Sequence, residues 1–245
     1  MLHRRTLLGV AAASAVAAPS LRVRAARTGD AAGEPDMSAE SGVMRFRVDR
    51  DGSEMGTHEL RFERAGHGRI KVAIDIDLAV KFGPFTVFRY THHNRTVWSE
   101  GRILYLSTRT DDDGEVYEVE AERRDDDKLA VATKRGESAV APADILPTTY
   151  WMTATTEQDR LLNTQKGGVA SVTLASLGQR EQKVPGGRVT ATGYKMTGDV
   201  AAHIWYDPDG RWVGLSFDGR GKRVTYTLVH RSGFLPTSPV LADHA

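Results

Sequence analysis

The 245-residue sequence contains no cysteine. That excludes disulfides, thiolate metal centres and a cysteine nucleophile. Long apolar runs are missing too. The run from Thr6 to Ala18 is too short to span a bilayer, and nothing after it approaches the roughly 20 apolar residues of a membrane helix. An excess of one charge is also lacking, with 33 Lys and Arg against 32 Asp and Glu. The formal charge of +1 falls to −3 once Arg4, Arg5, Arg22 and Arg24 leave with a leader ending at Ala25. A chain with no basic surplus makes a poor nucleic-acid binder, so no such partner is expected.

Assembled chemistry is equally scarce. There is no P-loop, no GxGxxG and no Ser-x-x-Lys. Gly214-Leu215-Ser216-Phe217-Asp218-Gly219 is one residue too long for G-x-S-x-G, and Ser216 falls inside a predicted strand. His92 and His93 are adjacent on a predicted strand and so point to opposite faces, which prevents them from sharing a metal. His58, His203 and His230 stand at no ligand spacing from them. Asp111-Asp112-Asp113-Gly114 with Glu120 mimics half a calcium loop, but Arg109 occupies the place of the first carboxylate ligand. Read this way, the chain implies no catalytic residue, no metal and no cofactor.

What is present begins at the N-terminus. Arg4-Arg5-Thr6-Leu7-Leu8, an apolar run and a small-residue processing zone form an export leader of twin-arginine type over residues 1–26. Cleavage fits after Ala17 or after Ala25. A periplasmic or otherwise exported protein is the expectation. Residues 27–41 are small, polar and aperiodic, as in a flexible tether. A single domain follows over 42–235, and 236–245 form a C-terminal tail.

Within that domain apolar residues recur at period two. Met44, Phe46 and Val48 alternate with Arg45 and Arg47. Ile70, Val72, Ile74, Ile76, Leu78, Val80 and Phe82 have Lys71, Asp75, Asp77 and Lys81 among the residues between them. A helix would scatter those charges around its circumference, whereas a strand puts them on one wet face. Asp51-Gly52, Asp113-Gly114, Pro185-Gly186-Gly187, Asp207-Pro208-Asp209-Gly210 and Asp218-Gly219 supply turn chemistry between such runs. About a dozen strands joined by hairpins form a sheet wide enough to curl. The expected class is all-β, a large curved antiparallel meander making a half-barrel or open barrel. One helical insertion is predicted near 142–165, with helical spacing over Thr155–Asn163, placed to plug one end of the sheet.

Aromatic residues make up only 7% of the chain, but they cluster. Phe82, Phe85, Phe88 and Tyr90 lie together, as do Trp205, Tyr206 and Trp212, with Tyr150-Trp151 between. In an all-β protein such residues fill the core or wall an apolar cavity with polar tips. The candidate ligand-binding residues on the second reading are Tyr90, His92, Trp98, Trp205 and Tyr206.

Two segments, Phe88-Arg89-Tyr90-Thr91-His92 leading to Trp98-Ser99-Glu100-Gly101-Arg102-Ile103, and Ile204-Trp205-Tyr206-Asp207 with Gly210-Arg211-Trp212-Val213, carry a likeness. With Leu161-Leu162-Asn163-Thr164-Gln165 between them, the pattern resembles a family of exported bacterial proteins classed only as a domain of unknown function. That resemblance brings no active site with it. The architecture is also similar to periplasmic lipoprotein carriers of the LolA and LppX type, by analogy of fold. The leading expectation is a non-enzymatic periplasmic protein holding a lipid or acyl chain in a curved sheet. The alternatives are a packed structural or protein-interaction module of the envelope and an envelope hydrolase or isomerase.

Overall fold

The computed structural model describes residues 40–134, 136 and 138–239. Among them the period-two pattern resolves into fourteen strands. The first eight are β1 (Ser41–Arg50), β2 (Ser53–Ala65), β3 (Arg69–Phe82), β4 (Phe85–Ser99), β5 (Arg102–Asp112), β6 (Glu115–Arg123), β7 (Lys128–Thr133) and β8 (Ser138–Pro142). After an irregular segment come β9 (Arg160–Leu162), β10 (Val169–Val184), β11 (Gly187–Gly198), β12 (Ala202–Tyr206), β13 (Trp212–Gly219) and β14 (Lys222–Gly233). All pair antiparallel in one sheet, in the order β8-β7-β6-β5-β4-β3-β2-β1-β14-β13-β12-β11-β10-β9.

Two meanders therefore meet at a seam where the first strand pairs with the last. Just beyond it, the Phe234 amide donates to the Ser41 carbonyl at 2.8 Å. A sheet this wide must curl, and it comes close to closing as a barrel. The chain leaving β8 helps to close it. Leu162 of β9 donates to the Leu146 carbonyl at 2.9 Å and accepts from the Thr148 amide at 3.0 Å.

Curling gives the sheet an inner and an outer face, and the cross-strand register separates them row by row. One row reads Phe46, His58, Ile76, His92, Thr110, Tyr117 across β1 to β6. Its neighbour, one residue along and so on the opposite face, reads Arg45, Glu59, Asp75, His93, Arg109, Glu118. The second row is an ionic ladder. Arg45 donates to Glu59 at 2.6 Å, Arg61 bridges Glu59 and Asp75, and Arg109 pairs with Glu118. Asp75 is its hub, meeting Arg61 at 3.0 Å, Arg95 at 2.9 Å and His93 at 2.7 Å. Burial alone would raise the Asp75 carboxyl, but hydrogen bonds from His93 and Arg95, with their charge, hold it below the usual carboxylate value.

The inner face carries the core, with Phe46, Leu60, Phe62, Ile70, Ile74, Trp98, Ile103 and Leu106 all sealed from solvent. On β3 the alternation holds as far as Val80 and then fails, because Phe82 is 79% exposed. Its hairpin outruns its neighbours: β2 pairs with β3 only as far as Leu78, and β5 reaches β4 only at Tyr90.

The predicted helix over Thr155–Asn163 is not formed. A single 3-10 turn spans Thr153–Glu157, and the chain then extends into β9. The reason lies in Leu161 and Leu162, adjacent residues that are both fully buried. Strand pairing with Ala170 and Val169 on one side, and with the 146–148 segment on the other, satisfies their backbone as well as burying both side chains. Tertiary pairing of this kind overrides helical spacing. The leader over 1–26 and most of the tether over 27–41 lie outside the described residues, as does most of the 236–245 tail.

Candidate functional site

Between β8 and β10 the chain enters the curl of the sheet and braces it from wall to wall. Thr108 of β5 donates to the Thr164 carbonyl at 2.6 Å. From the opposite wall the Tyr206 hydroxyl of β12 reaches the carbonyls of Tyr150 at 2.8 Å and Met152 at 3.1 Å. Trp151 then packs edge-on against Phe62 and Trp98, with ring centroids 5.4 and 6.2 Å away. That half of the interior is solid.

The other half is not. Above the brace lies a cavity of about 580 Å³. Thr148, Tyr150 and Asn163 to Gln165 form its floor, and its mouth lies where the hairpins after β1, β3, β5, β11 and β13 turn, marked by Arg50, Val87, Asp112, Val200 and Arg220. Its walls are mainly aliphatic and aromatic: Ile76, Leu78 and Val80 from β3, Leu215 and Phe217 from β13, Val224 from β14. The volume falls within the range of small-molecule sites.

Polar groups also face it, among them His58, Tyr90, His92, Tyr150, Gln165 and Tyr226. His92 of β4 shares a 2.7 Å hydrogen bond between Nδ1 and Thr110 Oγ1. Burial, with a smaller contribution from His93, lowers its pKa to about 4. His58 on β2 packs edge-on against Trp212 and Tyr226 at 5.3 and 5.5 Å, and among the described residues neither ring nitrogen has a partner. Burial takes its pKa down to about 3. Both imidazoles are therefore neutral at physiological pH. The phenols of Tyr90, Tyr150 and Tyr226 have pKa values raised by burial and remain protonated. Tyr150 takes a left-handed backbone, φ 60°. A bulky residue adopts that conformation only when its surroundings enforce it, and the Tyr206 hydroxyl clamped on its carbonyl is one such restraint. At the mouth, Arg220 meets Asp112 at 2.9 Å and lies 4.3 Å from the centroid of the Phe88 ring.

Of the five residues singled out by sequence, Tyr90 and His92 line this cavity. The other three do not. Trp98 points inward but lies eight residues along β4 from Tyr90, in the solid half against Trp151. Tyr206 also points inward and is spent on holding the brace. Trp205 faces away: Ile204 pairs with the cavity-lining Leu215, so its neighbour falls on the outer face. There the indole packs on Gly193, where a Cβ would come within 2.3 Å of the ring, and Arg180 lies 5.8 Å from the ring centroid. Sequence reading missed Tyr226 and His58 as cavity residues, although the alternation Val224, Tyr226, Leu228 places Tyr226 inward. Among the described residues no group of three or more His, Asp or Glu stands ready to hold a metal ion.

A family model described as Domain of unknown function (DUF6134) matches residues 46–229. The chain belongs to that family. The match runs from within β1 into β14, so the family unit contains both meanders and the brace between them. Among solved structures, the chain is similar to the crystal structure of a beta-barrel-like protein of domain of unknown function DUF1849 from Brucella abortus. The two share 12% identity with a TM-score of 0.56, over 80% of this chain and 98% of that one. At such identity the likeness is one of fold. No curated protein matches the sequence.

Proposed function

We propose that this protein is an exported, non-enzymatic binding protein that holds a hydrophobic molecule, a lipid or acyl chain, inside its curled sheet. The observation that carries the reading is the cavity itself: about 580 Å³ walled by Ile76, Leu78, Val80, Leu215 and Phe217, with only neutral polar groups in its depth. Apolar surface facing a void is stabilised by any occupant that removes it from water, at roughly 25 cal/mol per Å² covered. The hydroxyl held against an imidazole, Thr110 Oγ1 at 2.7 Å from His92 Nδ1, is fully buried and does not line the cavity, and Arg220 at the mouth is paired with Asp112.

The test is native mass spectrometry of protein purified from its own envelope fraction, with lipid extraction, beside a cavity-filling Leu78→Trp variant. Wild type should carry a small apolar molecule, and the variant should carry less than about a tenth as much while remaining folded. Wild type that carries no lipid and binds no acyl-chain probe would overturn the reading.

A second reading, an envelope interaction module, is favoured by the hairpin that projects past its neighbours, with Phe82 and Phe85 paired at its tip and 79% and 69% exposed. Changing both to Ser would abolish partner capture on that reading while leaving cavity occupancy intact.

A further inference from the structure

The tyrosines of the cavity are arranged unlike those of an ordinary core. A buried phenol finds a hydrogen-bond acceptor in most proteins. Here Tyr90 finds one, donating to Gln165 Oε1 at 3.3 Å. The hydroxyls of Tyr150 and Tyr226 have no partner among the described residues, yet neither is sealed within protein, so both open on the cavity that their rings wall. Tyr150 comes from the floor and Tyr226 from β14, and each ring is fixed. Tyr226 is wedged among Phe46, His58, Trp212 and Phe217 with centroids 5.5 to 6.3 Å away. Tyr150 is held in its left-handed backbone beside Trp212, at 6.3 Å. Both rings lie against the same Trp212 indole, at 6.3 and 6.2 Å, which brings the two phenols to one part of the cavity, and Tyr150 adds to the upward pKa shifts that burial gives Tyr90 and Tyr226.

Two fixed donors without acceptors define what they would bind. Their complement is an oxygen that accepts two hydrogen bonds, as a carbonyl does through its two lone pairs. It must be uncharged, because an anion buried beside neutral imidazoles and phenols would lack a counter-charge. The cations nearest the cavity, Arg50 and Arg220, stand at the mouth, and Arg220 is held by Asp112.

Resting on the lipid-binding reading above, we propose that the occupant is an apolar molecule carrying an uncharged ester carbonyl, as in a fatty-acyl ester, whose oxygen accepts from Tyr150 and Tyr226. The hydrocarbon then lies along Ile76, Leu78 and Leu215 toward the mouth. His92, tied to Thr110, lies on the same wall as Tyr90 and adds polarity without charge.

Competition against a fluorescent fatty-acyl ester tests this with the mature protein. Methyl oleate should displace the probe about tenfold better than 1-octadecene, the worth of two modest hydrogen bonds. Tyr226→Phe and Tyr150→Phe should each weaken methyl oleate about threefold and leave 1-octadecene unchanged. Equal competition by ester and alkene overturns the carbonyl site while leaving apolar binding intact. Oleate anion as the best competitor at pH 8 also overturns it and moves the polar contact to Arg50. Failure of wild type to bind the probe at all overturns both readings. Melting temperatures show whether each variant folds; if Tyr226→Phe does not, Tyr150→Phe and the wild-type ratio of ester to alkene decide.

Discussion

His58 and His92 face each other's influence from β2 and β4, and both are neutral because burial makes the imidazolium too costly. Their pKa values, about 3 and about 4, lie below the 6.5 of an exposed imidazole. In the interval between, the unfolded chain takes up protons that the native state refuses, so stability is complete above about pH 6.5 and is lost as pH falls toward 4. Each histidine adds about 1.4 kcal/mol of slope per pH unit once the unfolded form is fully protonated. Urea unfolding at a series of pH values checks this. His58→Phe keeps the ring among Trp212 and Tyr226 and removes the proton, so its profile should be flatter than wild type by one histidine's slope. Parallel profiles would show that His58 is protonated, or hydrated, in the native protein.

At the scale of the strand, β3 shows how legible the fold is. Its alternation fixes which face is wet, and Ile74 is sealed while Asp75 takes part in the ladder on the other side. Ile74→Asp buries an unpartnered charge and should cost on the order of 3 kcal/mol or more. A wet-face position suggests that Asp75→Asn changes little. The ladder alters that expectation, since Arg61, His93 and Arg95 all converge on this carboxylate, and a loss of about 1 kcal/mol is predicted. Thermal melts of both variants decide, and equal losses would contradict the face assignment. Pairing partners explain what was not legible. Period two tells inward from outward along one strand but not which inward residues share a level across fourteen. Tyr90 and Trp98 share a face yet lie in different halves of the interior. Trp205 carried the aromatic signal but sits outside, accommodated by Gly193 on the adjacent strand. The brace was visible as an interruption between strand runs, whereas its extended form depends on β10 and the 146–148 segment, which no local window contains.

For the whole molecule, Arg4-Arg5 ahead of Leu7-Leu8 motivates the proposal that it leaves the cytoplasm by the twin-arginine route. Twin-arginine recognition reads guanidinium geometry and not charge alone. Replacing both with Lys should therefore block processing and export, as seen by immunoblot of fractionated cells; normal processing of the double variant would point to the general secretory route. Such a route, which carries folded proteins, suits a chain whose first and last strands form the middle of its sheet. Until β14 is made, β1 presents a free edge of backbone donors and acceptors, and an open edge is a template for pairing with other chains. The hairpins β1 to β8 can assemble as they emerge from the ribosome, but this edge is covered only when synthesis is nearly complete. Loss of the last strand by truncation would thus do more than shorten the sheet. It would split one barrel into two sticky half-sheets held by the brace alone, and the cost would appear as aggregation before it appeared as lost binding.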